Sequence, residues 1–412
     1  MGKSGKRNTG SGQRPVKNIQ ISEKNRKVRL ILLVVCLAVA VVAFIVGIRA
    51  FLTTDAGWTM VESTSAQLNC SGDFIFSYCY GQTEETAIQE KKRLTMAYTQ
   101  ATEDAWQIFY EDIAEVNAAV NTPITVDPAL YQALSQVAAY ESRYLFLGPV
   151  YTEYYRIFNA ESDPEAAALD PANDAELAAY VGKLAAFAND PGQISLELMD
   201  YSQVCLRVSE EYLNYAQENE ITEFVDFGWM VNAFIADYLA DTLTAQGFTN
   251  GFLSSYDGFT RNLDNRGEEF NLNLFNRRET SIHLPGTMQY DQPIAIVSLR
   301  DYPMSQRDRY HYYTFETGAI VTTMVDPADG LSKSAIDSLV GYSYEGGCAD
   351  VLLQIAPVFI ADSFDKVVLN DLRNNGISAL WVEDTVLYCN DSDLSVKLNK
   401  EAGVAYSLQY TN

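Results

Sequence analysis

Residues 225–258 read VDFGWMVNAFIADYLADTLTAQGFTNGFLSSYDG. Apolar residues recur at helical steps from Asn232 to Gln246, with Asp237 inside the run. Gly247 follows as the residue that ends a helix, and Tyr256-Asp257-Gly258 spells a turn. Upstream, Ile88, Leu94, Ala97, Ala101, Ala105, Ile108, Ile113 and Val116 recur at the same step, which predicts helix from Glu84 to Val120 before Pro123 interrupts. Asp127-Pro128 predicts a capped helix start, and Asp174 to Phe187 a further helix in an acidic, Ala-rich connection over 159–190. Strands are expected around a hairpin turn at Ser71-Gly72, and over 194–198, 204–208, 294–299, 310–315 and 378–382. Helices are expected over 349–360 and 364–374. Strands and helices are interleaved without a repeat, so residues 50–412 read as one α+β domain or as two lobes exchanging strands.

The chain has 412 residues, is 48% hydrophobic and 12% aromatic, and carries a net charge of -25, a composition that excludes disorder over most of its length. The charge is unevenly placed. Residues 1–29 hold nine Lys/Arg against Glu23 alone, a head of +8, so the remainder carries -33 and repels nucleic acid. This head reads as a basic, disordered cytoplasmic tail. From Leu30 to Ile48 there are 19 residues without a charge, about 28 Å as a helix and enough for one crossing of a bilayer. With the basic cluster before the span and only Arg49 just after it, residues 30–49 are expected to be an uncleaved transmembrane anchor. The N-terminus is then cytoplasmic and residues 50–412 lie outside the cell membrane. Outside the span are five cysteines, Cys70, Cys79, Cys205, Cys348 and Cys389. Their spacing suggests no zinc site, their number leaves one thiol over, and at least one disulfide among them is expected.

The opening stretch resembles the ApbE-like FAD:protein FMN transferases, magnesium enzymes outside the cytoplasmic membrane, whose pattern there is roughly LDLGxIAKGYAVD followed by a strand and NLGGN. Further segments match in the same order. EDIAEVN (111–117) is similar to SEISRLN, Gly148-Pro149-Val150 to GPL, and residues 269–275 sit where a WxVxI strand would follow. AIVSLRDY (295–302) is similar to AVATSGDY, RYHYYTFETG (309–318) to HHIIDPRTG, and GCADVLLQIAPVF (347–359) to LADALATALFVL. The resemblance spans about Trp58 to Cys389 and implies an α+β fold of mixed sheets and packed helices. It also implies FAD and Mg²⁺ as cofactors. By position it implies a catalytic His311, flavin contacts from Met60, Asp237, Asp257, Gly258, Ser298 and Thr317, and a metal pair of Asp350 and Gln354.

The departures are equally specific. Asn232 stands at the family's lysine and Ala233 at the glycine after it. Val61-Glu62 follow Met60 where the family has Gly-Thr, and Asp257-Gly258 replace paired glycines. Leu299-Arg300 follow Ser298, Thr314-Phe315 replace Asp-Pro, and Gln354 takes the place of a threonine. Bulk and negative charge beside a pyrophosphate weaken its binding, and one carboxylate with an amide oxygen holds Mg²⁺ less firmly than the family's pair. The expected function is therefore a pseudoenzyme that acts as a binding or scaffolding module, with a flavin or an envelope protein as its partner. The alternative is an active transferase placing FMN on a Ser/Thr of a membrane redox protein. Taken without the resemblance, Asp350 reads as a helix cap or surface acid, His311 as a hydrogen-bonded structural histidine and Asp237 as a packing residue. The tyrosines at 151, 154, 155, 310, 312 and 313 read as packing, or as the lining of a peptide or glycan groove.

Overall fold

The structure is a computed structural model that describes residues 57–65, 73–81, 84–400 and 403–411. The expected tail and membrane span, Cys36 and Cys70, and the turn at Ser71-Gly72 lie outside these residues. Among the described residues no helix is long and apolar enough to cross a membrane. The described residues from Gly57 onward belong to one compact unit.

Nine strands make the central sheet and lie across it in chain order. They are β1 (Gly57–Val61), β2 (Phe74–Tyr80), β3 (Gly251–Ser255), β4 (Phe259–Asn262), β5 (Ile294–Arg300), β6 (Ser338–Ser343), β7 (Ser378–Glu383), β8 (Val386–Cys389) and β9 (Ser407–Tyr410). Neighbours pair antiparallel except β8 and β9, which run parallel. The two-residue period of a strand splits its side chains between two cores. Ala295, Val297 and Leu299 of β5, Leu339 of β6, and Ala379 and Trp381 of β7 join the helical core. Ile294 and Ile296, Val340 and Tyr342, and Leu380 and Val382 point the other way. There they meet Leu274, Met288 and Tyr290 from a second, three-stranded sheet built of Phe270–Arg278, Ser281–Tyr290 and Ser395–Leu398.

Four helices on the first face position the site: α1 (Glu84–Trp106), α2 (Pro128–Tyr140), α3 (Val231–Ala245) and α4 (Cys348–Phe359). Asp127 caps α2 as expected, accepting from the Ala129 N–H at 2.7 Å. The helix expected to run unbroken to Val120 instead widens after Trp106 into a π-turn at Gln107–Glu111 and resumes as Asp112–Ala118. The wider turn buries the adjacent Ile108 and Phe109 together while Trp106 stacks on Tyr110 at 4.4 Å. The strand expected over 310–315 is shorter, Tyr312–Thr314, because Ser305 and Asp308 cap a 3-10 turn at Gln306–Tyr310 just before it. Cys79, Cys205, Cys348 and Cys389 are free thiols, so no disulfide forms among the four described cysteines outside the span.

Candidate functional site

Asp237 projects from α3 toward the first turn of α4. Its Oδ1 accepts from the Cys348 N–H at 2.7 Å and its Oδ2 from the Ala349 N–H at 2.8 Å. The Arg261 guanidinium, reaching up from β4, pairs with Oδ1. A carboxylate here satisfies N–H groups that have no partner within the helix and meets the positive end of its dipole. Gly347 makes the approach possible, since a Cβ there would lie 2.3 Å from Asp237 Oδ2. Burial pushes the Asp237 carboxyl up, while Arg261 and the two amides pull it back.

Asp350 lies one turn into the same helix end. Its Oδ2 accepts from the Gly347 N–H at 3.0 Å and its Oδ1 from the Gln136 side chain of α2 at 2.5 Å. Gln354, one turn on, accepts from Asn375 at 3.0 Å through Oε1, and its amide nitrogen donates to the Tyr140 hydroxyl at 3.1 Å. Every side-chain oxygen of this expected metal pair thus already accepts from a protein donor. Among the described residues no group of three or more His, Cys, Asp or Glu side chains is arranged to hold a metal ion. Beside the pair, a cavity of about 170 Å³ opens between α2 and α3, lined by Phe109, Gln132, Gln136, Phe234, Asp237 and Asp241.

A second, tighter cavity gathers Trp229, Asp257, Ser298, Arg300, His311 and Tyr312 in about 20 Å³, room for roughly one water. Asp257 Oδ2 accepts from the Asn232 side-chain amide at 2.9 Å. The other oxygens of both groups, Asn232 Oδ1 and Asp257 Oδ1, are buried without a protein partner. Gly258 has φ +113° and its Cβ would lie 2.4 Å from the Ser298 carbonyl oxygen, so the turn closes directly on β5. The Ser298 N–H donates to the Gly258 carbonyl at 2.9 Å. Asp73 stands within electrostatic reach of both Asp257 and His311.

Asp257, Gly258, Ser298 and His311 therefore meet at one place, with Asp237, Asp350 and Gln354 grouped at the start of α4. Met60 and Thr317 line neither cavity. Met60 is 56% exposed on the edge strand β1, and Thr317 is exposed at the tip of the hairpin whose Tyr313 and Glu316 are tied to Asp163. Arg261 and Gln136 escaped the sequence reading. Arg261 carries a weak signal, a lone cation in a short strand, and Gln136 carries none.

Asp301, directly after β5, has its carboxyl pushed up to about 6 by burial, with Arg277 at 2.8 Å pulling it down and Asp337 raising it further. The folded chain holds this proton more tightly than the unfolded one. The group's contribution is therefore favourable below its ordinary value of 3.8 and is lost as pH rises from there through 6. The loss is at most about 3 kcal/mol. In urea titrations between pH 4 and 7, Asp301→Asn is expected to flatten the decline in stability across that window. An unchanged slope contradicts the assignment.

No protein-family model and no curated protein matches this chain. Solved structures do. The ApbE protein of Thermotoga maritima superposes with a TM-score of 0.54 at 10% identity, covering 83% of this chain and 97% of that one. A variant of the flavin transferase ApbE of Vibrio cholerae gives 0.50 at 12% identity, covering 84% and 98%. At such identities the likeness establishes the fold alone: over the part covered, the chain has the α+β fold of the ApbE flavin transferases.

Proposed function

We propose that the chain is a membrane-anchored ApbE-like protein, held outside the cell membrane by residues 30–49, that uses the fold as a binding or scaffolding module with a weakened flavin and Mg²⁺ site. The observation that carries this reading is the Asn232–Asp257 hydrogen bond. The resemblance puts a lysine at position 232 and a glycine at 257. Here an amide is tied to a carboxylate instead, so the lysine's positive charge is absent at 232 and a negative charge is present at 257, beside where a pyrophosphate would lie. The self-satisfied Asp350–Gln354 pair supports the same conclusion, because Mg²⁺ needs oxygen ligands at about 2.0–2.1 Å and both residues are held by protein donors. These residues do not fit FAD with Mg²⁺ as the family's do.

The active-transferase alternative draws on His311 and Ser298 lining one cavity, with Gly258 packed against Ser298, since an imidazole and a hydroxyl are groups that acid–base chemistry uses. Calorimetric titration of the full-length, detergent-solubilised protein with FAD separates the two readings. Affinity no better than millimolar, with or without Mg²⁺, is expected. A micromolar dissociation constant that depends on Mg²⁺ contradicts the weakened site.

A further inference from the structure

The cavity of about 170 Å³ between α2 and α3 has room for several waters, and its lining is of two kinds. One side is aromatic. Phe109, Phe234 and Tyr238 line it, with the Phe109 ring 6.4 Å from Phe234 and 6.3 Å from Tyr238, the latter pair at an interplanar angle of 75°. Phe109 arrives from the π-turn at Gln107–Glu111, an irregularity that is frequent at functional sites.

The other side is polar and keeps acceptors in reserve. Asp237 is engaged by Arg261 and the α4 amides, and Gln136 by Asp350. The Gln132 side chain, by contrast, has no hydrogen-bond partner among the described residues. Asp241, whose side chain is 73% exposed, gives only its Oδ1 to Arg261, at 3.2 Å, and its Oδ2 accepts from no described group.

Charge decides what these groups receive. Neither α2 nor α3 contains a Lys or Arg, and the charges gathered at this place are Asp237, Asp241 and Asp350 against Arg261 alone. Asp104 and Asp127 act on Tyr238 from α1 and from the start of α2, which deepens the negative field. The N–H groups at the start of α4, which would otherwise draw an anion, are already capped by Asp237 and Asp350. A phosphate or carboxylate is therefore repelled. Aromatic walls favour a cation with an apolar body over a bare metal ion, for which no group of three or more ligating side chains is arranged among the described residues.

We propose that this cavity binds a small alkylammonium ion, its N–H groups received by Asp241 and the Gln132 amide oxygen and its hydrocarbon part packed against Phe109 and Phe234. The inference deepens the binding-module reading and rests on it, since the ligand is an organic cation rather than a dinucleotide.

The test uses the full-length protein in a neutral detergent, with alanine methyl groups labelled with carbon-13, because Ala129 and Ala133 line the cavity. The probe is n-butylammonium chloride, titrated at constant ionic strength and followed by NMR, with n-butanol as its neutral counterpart and potassium chloride as the inorganic cation. The expected result is a saturable shift of the Ala129 and Ala133 methyl resonances by the amine, with butanol binding at least about fivefold more weakly, the size of one partly exposed charge pair. Asp241→Asn should weaken the amine by a similar factor; the residue is exposed and its amide oxygen still accepts from Arg261, so the variant folds. Potassium should leave both resonances in place. Equal binding of butanol, an equal response to potassium, or amine binding unchanged in Asp241→Asn overturns the proposal. FAD with Mg²⁺ is titrated into the same sample. Micromolar FAD binding overturns the binding-module reading, whereas no response to the amine together with no FAD binding overturns this inference alone.

Discussion

Replacing Asp237 with alanine is expected to destabilise the body by about 3–5 kcal/mol, the size typical of removing one partner from a buried ion pair. The Cys348 and Ala349 N–H groups lose their acceptor at once, and the Arg261 guanidinium loses the more buried of its two carboxylates, keeping Asp241 at 3.2 Å. Helix α4 packs its Val351, Leu352, Ile355 and Phe359 into the helical core, so a weakened start is felt well beyond the site. Asp237→Asn should cost less, because an amide oxygen still accepts one of the N–H bonds, but it leaves Arg261 only the more exposed Asp241, at 3.2 Å, as a counter-charge. Urea unfolding of the alanine, asparagine and parent proteins ranks the three. If the alanine variant loses less than about 1 kcal/mol, Asp237 is not the residue that joins α3, β4 and α4.

The second large effect is a gain. Asp257→Gly combined with Gln354→Thr is expected to raise FAD affinity and Mg²⁺ affinity together, since a metal and a pyrophosphate that bind one another must strengthen each other's binding by the same factor. Removing a carboxylate roughly 5 Å from a phosphate is worth on the order of 1 kcal/mol or more, close to a tenfold change in affinity. It also frees Asn232, which now spends its amide on Asp257. Transfer activity should not return, because Asn232 and Val61 still differ from the family pattern. Calorimetry on the double variant decides it. If FAD binding remains undetectable at millimolar Mg²⁺, the cavity is not a decayed flavin site, and a protein or glycan partner becomes the better reading.

Much of the fold was legible because its signals are local. The periodicity of α3, the Gly247 that ends it with φ +87°, the Asp127 cap and the short apolar runs of β5 and β7 are all written within a dozen residues. The order of seven short resemblances carried the rest, and the shared fold agrees with it. The relations between segments were not legible. Asp237 and the N–H groups it caps are separated by 111 and 112 residues, and Gln136 and Asp350 by 214, distances over which no periodicity speaks. Asn232 and Asp257 looked like two independent departures from a family pattern. Only the folded chain joins them as donor and acceptor. Met60 and Thr317 are exposed and line neither cavity, a placement that alignment to a motif does not reveal.

The central claim is that an ApbE-type fold persists here without the chemistry of flavin transfer. Its most direct test is the intact mass of a Ser/Thr-bearing acceptor, such as the periplasmic domain of a membrane redox protein, after incubation with the full-length protein, FAD and Mg²⁺. An unchanged acceptor mass, with FAD recovered whole, is the predicted result. A gain equal to one FMN on the acceptor, absent when Mg²⁺ is chelated, would contradict it.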